Sequence, residues 1–232
     1  LEEKGNEIFE SKECKNPNSA KISFIQAQNN NYLLLTSHAG PLWNDLPDLD
    51  SQDNKTIYGK VIKINLKNFN YEIFSKGHRN ISGLYSDEKV ILSTEHGPRG
   101  GDEINNLKYK NNYGWDIATY GTTYRTKKFY SPHAIYNFTE PVLAFIPSIG
   151  ISEIEKIKGN EFSKAWQENF LLASLNYKHI IRLKFDVNFE RVIFREDIYI
   201  GERVRDIKII ETMSLIVLST SEGNLIFLRP IK

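Results

Sequence analysis

Short hydrophobic runs alternate with polar, glycine-containing turns along the chain, and helical periodicity is nearly absent. Runs of this length, bounded by Gly, Asn, Asp and Pro, predict β-strands. Four of them end alike in small polar residues: YLLLTSHAG, KVILSTEHG, NFLLASLNY and SLIVLSTSEG. Each is followed, after a loop, by a second run: YGKVIKINL, EINNLKY, KHIIRLKFD or NLIFLRP. The sequence therefore predicts an all-β protein with about four repeated units.

A hydrophobic strand, a loop and a strand with a basic–apolar ending form the pattern of the inner part of a propeller blade. A β-sandwich also has short strands at similar spacing, but the recurrence of paired segments in one order favours the propeller. Closed propellers commonly have about six to eight blades, although four-bladed ones exist. We expect residues 1–232 to form a single β-propeller domain.

Two stretches lack the repeat. Residues 41–56 predict a polar loop on the rim, and its aspartates (Asp45, Asp48, Asp50 and Asp53) lack the glycine and terminal glutamate of an EF-hand. A solvated acidic loop is therefore favoured over a cation site. Residues 116–148, rich in Tyr, Thr and Pro, predict a long excursion between blades.

Charge and cysteine content exclude several classes of function. Thirty basic and 29 acidic residues leave a net charge of +1 without a basic stripe, which excludes an evident nucleic-acid or anionic-membrane partner. The apolar runs fall far below the roughly 20 residues that span a bilayer. Cys14 is the only cysteine, so an intramolecular disulfide and CxxC-type sites are excluded. The chain begins at Leu1 without a signal-like segment, and we expect upstream sequence to have been removed.

Several blocks resemble one known family. These blocks are YGKVIKINL, KGHRNISGL, EHGPRGGDEINNLKYKNNYGW, PSIGIS, LLASLNYKHIIRLKFD and GERVRDIKI. In order and spacing they resemble the soluble sugar dehydrogenases that use pyrroloquinoline quinone (PQQ), the glucose/sorbosone dehydrogenase family. The resemblance implies a six-bladed β-propeller of the quinoprotein glucose dehydrogenase type, of which this chain covers about four blades. It also implies a second chain or segment that supplies the missing blades, and a periplasmic or extracellular location.

The resemblance implies oxidation of a hydroxyl of an aldose or related alcohol, with PQQ and Ca²⁺ as cofactors and an external electron acceptor. In the family, carbonyls of a Gly-Pro step bind calcium, and here these belong to Gly97 and Pro98. Ca²⁺ takes about six to eight oxygen ligands, which carbonyls at a turn can supply; a turn without function is the alternative. Glu103 and Tyr113 align with a second calcium site of the family, which is structural. The alternatives are a carboxylate on the rim for Glu103 and a packed aromatic for Tyr113.

The carboxylates of the quinone require fixed cations and hydrogen-bond donors. Guanidinium groups suit carboxylates through bidentate bonds, although an Arg-x-Arg pair on a strand is usually a solvated face. The resemblance assigns cofactor contacts to the following residues: Arg79, Asn80, His96, Ser148, Asn176, Arg203 and Arg205. Asn176 stands where some relatives have a lysine, so one positive charge is missing from the pattern.

The catalytic base is the point at which this sequence departs from the family. Relatives place a histidine near the position of Pro17, which cannot accept a proton. His38 is the candidate for the missing base, because an unperturbed imidazole titrates near pH 6.5; a polar residue lining the pocket is the alternative. Two functions therefore stay open, a quinoprotein dehydrogenase with a rearranged base and a non-catalytic binding propeller that keeps the pocket.

Overall fold

The computed structural model describes residues 20–27, 30–39, 50–159 and 162–230. Four antiparallel sheets follow one another along these residues. The first sheet contains β1 (Ile22–Ala27), β2 (Asn30–Thr36), β3 (Lys60–Asn65) and β4 (Tyr71–Lys76). The second contains β5 (Ile81–Ser86), β6 (Ile91–Glu95), β7 (Asp102–Asn106) and β8 (Leu143–Phe145).

The other two sheets continue the same up-and-down order. The third contains β9 (Ile151–Lys156), β10 (Phe170–Ser174), β11 (His179–Phe185) and β12 (Val192–Tyr199). The fourth contains β13 (Val204–Ile210), β14 (Leu215–Thr220) and β15 (Leu225–Leu228). Short 3₁₀ turns cover His133–Tyr136 and Glu211–Met213. Within the described ranges, no helix has the length and apolarity needed to span a bilayer.

The prediction of about four propeller blades is confirmed, since each sheet is one meander of antiparallel strands. The repeated segments of the sequence are the second and third strands of each sheet, whereas the innermost strands are the first ones. Contacts between sheets join β1 to β5, β5 to β9 and β9 to β13. These inner strands carry polar residues, such as Ser82 and Glu153. They therefore lack the hydrophobic run that marks the strands behind them.

Hydrophobic side chains fill the space between successive sheets. The cluster between the second and third sheets centres on Phe170, which has no exposed surface. Its ring meets those of Tyr85 and Phe185 edge to face, with centroids 5.2 Å apart in both pairs. Burial of an aromatic side chain of this size contributes about 1.5–3 kcal/mol, and edge-to-face pairs add about 0.5–1.5 kcal/mol each. This packing fixes the second and third sheets relative to each other.

The outward faces of the first and last sheets keep apolar side chains in solvent. In β1, Phe24 is 50% exposed, while its neighbour Ile25 packs against the cluster shared with the second sheet. In β15, Phe227 is 59% exposed, while Ile226 packs against the cluster shared with the third sheet. Further blades would cover both faces, and the expectation that a second chain or segment supplies them stays a prediction.

A fully buried lysine organises the rim loop of the first sheet. The ammonium group of Lys60 donates to the carbonyls of Asp50 (2.7 Å), Ser51 (3.0 Å) and Tyr58 (2.7 Å). The loop before β3 thus wraps around a side-chain cation. Of the aspartates named above, Asp45 and Asp48 lie outside the described residues, as does Pro17.

Candidate functional site

The residues predicted for the site lie in turns at one end of the sheets. Strands alternate in direction, so turns that leave β2, β6, β10 and β14 share a rim with turns that enter β5, β7, β9 and β13. The predicted residues lie in these turns or at the strand ends beside them: His38, Arg79, Asn80, His96, Gly97, Pro98, Glu103, Ser148, Asn176, Arg203 and Arg205. Tyr113 lies in the loop after β7.

His38 lies beside Arg79. The amide of Ala39, the next residue, donates to the carbonyl of Arg79 over 3.0 Å, which joins the end of β2 to the turn before β5. The side chain of His38 is buried, with 4% of its surface exposed. The first and second sheets therefore bring the candidate base next to the candidate cofactor-binding arginine.

The side chain of Arg79 is buried on this rim, with 4% of the residue's surface exposed. Its Nη1 donates to the carbonyl of His96 at 2.8 Å, and its Cζ lies 5.3 Å from the centroid of the Trp115 ring. Burial lowers the pKa of Arg79, an effect that Tyr124 and Glu95 oppose, and an arginine remains charged in proteins. Its Nε has no hydrogen-bond partner among the described residues. The side chain thus carries a donor that an anion could satisfy.

A buried polar network holds the turn that carries Arg79. Glu95 accepts the backbone N–H of Arg79, and its other oxygen lies 3.1 Å from Nδ1 of His78. Nε2 of His78 lies 2.9 Å from the hydroxyl of Ser75. This Ser–His–Glu arrangement resembles a hydrolytic triad in connectivity, but Ser75 and His78 are 1% and 0% exposed. A substrate cannot reach the hydroxyl, so the network supports the turn.

Asp102 joins the Gly97–Pro98 turn to the next blade. One carboxylate oxygen accepts the N–H of Gly97 (3.0 Å) and the hydroxyl of Ser148 (2.8 Å). The other accepts the N–H groups of Gly150 (2.8 Å) and Ile151 (3.0 Å). Asp102 is 1% exposed, and four donors satisfy its charge. It therefore fixes Ser148 beside the Gly97–Pro98 turn.

The turn after β6 requires its glycines. A Cβ on Gly97 would lie 2.2 Å from the carbonyl oxygen of Gly100, and Gly101 adopts a φ of 68°. Side chains are thus excluded from the inside of this turn. Burial lowers the pKa of His96, and the charges of Arg79 and Arg205 lower it further against the effect of Asp102. Burial therefore favours the neutral imidazole.

The third and fourth sheets bring the remaining candidates to the same rim. The backbone N–H of Asn176 donates to the carbonyl of Ile149 over 2.9 Å, which places Asn176 beside the turn that holds Ser148. The exposed side chain of Arg205 donates from Nε to the hydroxyl of Ser221 at 2.8 Å. Arg203, also exposed, precedes β13. Asn176, Arg203 and Arg205 thus lie on the rim that carries Arg79.

Glu103 and Tyr113 line one small cavity. It measures about 10 Å³, room for about one water molecule. Burial raises the pKa of Glu103 well above its ordinary value, and Glu95 adds to this effect; the Oε1 of Glu103 has no partner among the described residues. The part of the chain that the structure describes contains no group of three or more His, Cys, Asp or Glu side chains arranged for a metal.

Several residues that shape the rim were not singled out from the sequence. Asp102 and Glu95 stand within the motif that carries Gly97 and Pro98. Acidic residues on both sides of a glycine-rich turn could have indicated their role in holding that turn. Tyr124 lies in the excursion between blades, and its hydroxyl donates to the carbonyl of Pro98 at 3.1 Å. No repeat or spacing marks that residue, because its position depends on how the excursion folds back.

Comparisons with known proteins give relatives of one kind. The aldose sugar dehydrogenase YliI of Escherichia coli K12 is 33% identical over 170 residues, which cover 68% of this chain and 44% of that protein. Quinoprotein glucose dehydrogenase B of Acinetobacter calcoaceticus is 24% identical over 205 residues, covering 61% and 43% respectively. A crystal structure of a glucose dehydrogenase superposes with a TM-score of 0.76 at 25% identity, covering 90% of this chain and 63% of that one.

The chain spans less than half the length of the curated relatives it matches. The match to the family itself is nearly complete over this chain, since the model named Glucose / Sorbosone dehydrogenase matches residues 2–227. The chain belongs to the glucose/sorbosone dehydrogenase family.

Proposed function

We propose that this chain forms the PQQ- and Ca²⁺-binding part of a dehydrogenase that oxidises the hydroxyl of an aldose or related alcohol. The observation that carries the proposal is the buried guanidinium of Arg79, which donates to the carbonyl of His96 beside the Gly97–Pro98 turn and keeps an Nε–H without a partner among the described residues. External electron acceptors would reoxidise the enzyme, and we propose a periplasmic or extracellular location. Full activity would also require further blades, which a second chain or segment would supply.

The chemistry of the donors fits an anionic quinone. Arg79 has a buried Nε–H without a partner among the described residues, and a buried donor left unpaired costs about 1–3 kcal/mol. A carboxylate next to it would remove that cost. Asn80, Ser148, Asn176 and Arg203 would add hydrogen bonds from the same rim. Bound PQQ would supply the two-electron acceptor that no side chain here provides.

The side chains of the chain would bind and orient, and one would move a proton. The carbonyls of Gly97 and Pro98 would hold Ca²⁺, while Glu103 and Tyr113 would belong to a second, structural cation site. His38 would take the proton of the substrate hydroxyl, because it lies at the end of β2 beside the turn of Arg79. A positioned general base contributes about 10²–10⁴-fold in rate.

Titration calorimetry with PQQ, with and without Ca²⁺, tests the binding site. We expect binding that strengthens in the presence of Ca²⁺. Replacing Arg203 and Arg205 together by alanine should weaken PQQ binding by about 10-fold or more, because two charge-assisted contacts are lost. Both side chains are exposed, so the thermal unfolding midpoint should stay unchanged. Equal affinity in the double variant would remove these arginines from the site.

A His38→Ala variant tests the base. After reconstitution with PQQ and Ca²⁺, and with the missing blades supplied, the protein is assayed with a panel of aldoses and an artificial electron acceptor. We expect the variant to lose about 10²–10⁴-fold in kcat while PQQ affinity is kept. A variant that retains the full rate would show that His38 only lines the pocket.

A non-catalytic binding propeller is the second candidate. It is favoured by the neutral, exposed side chain of Asn176 at a position where some relatives have a lysine, and by Pro17 at the family position of the base. In that case the protein would bind PQQ in calorimetry and oxidise none of the aldoses. Turnover by the wild type would exclude it.

A further inference from the structure

Residues 122–129 form a small hairpin that lies against the Gly97–Pro98 turn. Thr122 and Phe129 pair across it in an antiparallel bridge. The hairpin is also tied to the turn, since Arg99 and Thr122 exchange backbone hydrogen bonds of 3.2 and 3.0 Å. The 122–129 hairpin is therefore attached one residue beyond the carbonyl of Pro98.

The chain is built for this close approach. A Cβ on Gly121 would lie 2.6 Å from the carbonyl oxygen of Gly100 and 2.8 Å from Pro98, and a Cβ on Gly101 would lie 2.5 Å from the nitrogen of Gly121. Larger residues at either position would push the hairpin away from the turn. The two glycines thus permit contacts that the hairpin could not otherwise make.

Tyr124 uses this approach to reach two groups of the proposed site. Its hydroxyl donates to the carbonyl of Pro98 at 3.1 Å and accepts a hydrogen bond from Nη2 of Arg79, also at 3.1 Å. The phenolic proton is therefore directed at the carbonyl oxygen, and the charged guanidinium contacts the phenolic oxygen. A divalent cation approaching the same carbonyl would meet the positive end of this hydrogen bond.

We propose that Tyr124 is a further positioning residue of the rim, a latch whose hydroxyl competes with a divalent cation for the carbonyl of Pro98. The inference rests on the proposed function, because that function uses this carbonyl as a ligand. With the latch closed, Tyr124 holds Arg79 and the hairpin in place. Cation binding displaces the hydroxyl from Pro98 and frees Nη2 of Arg79 for an anion.

The test is calorimetric titration of CaCl₂ into the wild type and a Tyr124→Phe variant. Phenylalanine keeps the ring and removes both hydrogen bonds of the hydroxyl, the one to Pro98 and the one from Arg79. Since only the bond to Pro98 occupies the carbonyl, Ca²⁺ should bind the variant about 5-fold more tightly, the equivalent of one typical hydrogen bond. The matched control is Tyr120→Phe in the same segment. The hydroxyl of Tyr120 donates to Glu140 at 2.7 Å, so its removal should leave Ca²⁺ affinity unchanged.

Amide hydrogen exchange of Thr122 supplies a readout that needs no cation. In Tyr124→Phe the hairpin loses its tie to Arg79 and Pro98, so this amide should exchange about 5-fold faster than in the wild type or in Tyr120→Phe. Equal exchange would overturn the latch. Equal or weaker Ca²⁺ affinity of Tyr124→Phe would overturn the competition while leaving the cation site intact. If no variant binds Ca²⁺, the cation site of the proposed function fails, and the competition fails with it.

Discussion

Replacing Asp102 by alanine is expected to lower the free energy of unfolding by about 3–5 kcal/mol, because the change leaves buried donors from two blades without an acceptor. The carboxylate accepts the N–H groups of Gly97, Gly150 and Ile151 and the hydroxyl of Ser148. The turn at Gly97 should lose its fixed position relative to the third sheet. Ca²⁺ affinity, measured by calorimetry, should fall along with stability, measured by urea unfolding.

Two variants make this result specific. Asp102→Asn keeps the size of the side chain but turns an NH₂ group toward two of the donors, so it should retain only part of the stability. Asp197→Ala removes an exposed carboxylate that pairs with Arg195 at 2.7 Å, and an exposed pair contributes at most about 1 kcal/mol. If Asp102→Ala and Asp197→Ala had equal effects, Asp102 would not be the link between blades.

Replacing Lys60 by methionine should destabilise the protein by about 2–4 kcal/mol at pH 7, since methionine fills the space and leaves buried carbonyls without a donor. The carbonyls concerned belong to Asp50, Ser51 and Tyr58. Lys63→Met is the matched control, because Lys63 lies on the same strand with its ammonium next to Glu72 at the surface. Thermal or urea unfolding of both variants gives the comparison.

The difference in unfolding free energy between the wild type and Lys60→Met should increase with pH. Burial, and then the charge of Lys76, lower the pKa of Lys60 from 10.5 to about 8. Between these values the unfolded chain keeps the proton that the folded protein has released, so the free energy of unfolding of the wild type rises with pH. Its advantage over Lys60→Met should therefore grow by about 2–3 kcal/mol from pH 7 to pH 10. A constant difference would show that Lys60 has an ordinary pKa.

The sequence predicts the middle strands well and the inner strands poorly. The middle strands β6 and β10 are covered on both faces, so their hydrophobic runs are visible without a structure. The inner strand β5 contains Gly83, where a Cβ would lie 2.6 Å from the hydroxyl of Thr94. Gly83 interrupts the hydrophobic pattern of β5. The sequence therefore does not mark this strand, although it is the innermost strand of its blade.

The site divides in the same way. Arg79 and the Gly97–Pro98 turn are predicted as site residues because they stand in compact motifs that resemble a family, and their roles stay predictions. The role of Asp102 depends on donors more than forty positions along the chain, and that of Tyr124 on the path of the excursion. Both follow from tertiary contacts, which no local pattern encodes. The carbonyl cage of Lys60 is invisible for the same reason, since backbone oxygens have no identity in a sequence.

Because its central cation is covalently attached, the loop around Lys60 does not depend on the ionic composition of the medium. A loop held by a bound metal loses its shape when a chelator removes the ion, whereas the ammonium group cannot be extracted or exchanged. If Ca²⁺ binds the Gly97–Pro98 turn as proposed, chelation should act on that turn and leave the loop around Lys60 intact. The loop of the first blade would then keep its shape whether the proposed calcium site is filled or empty.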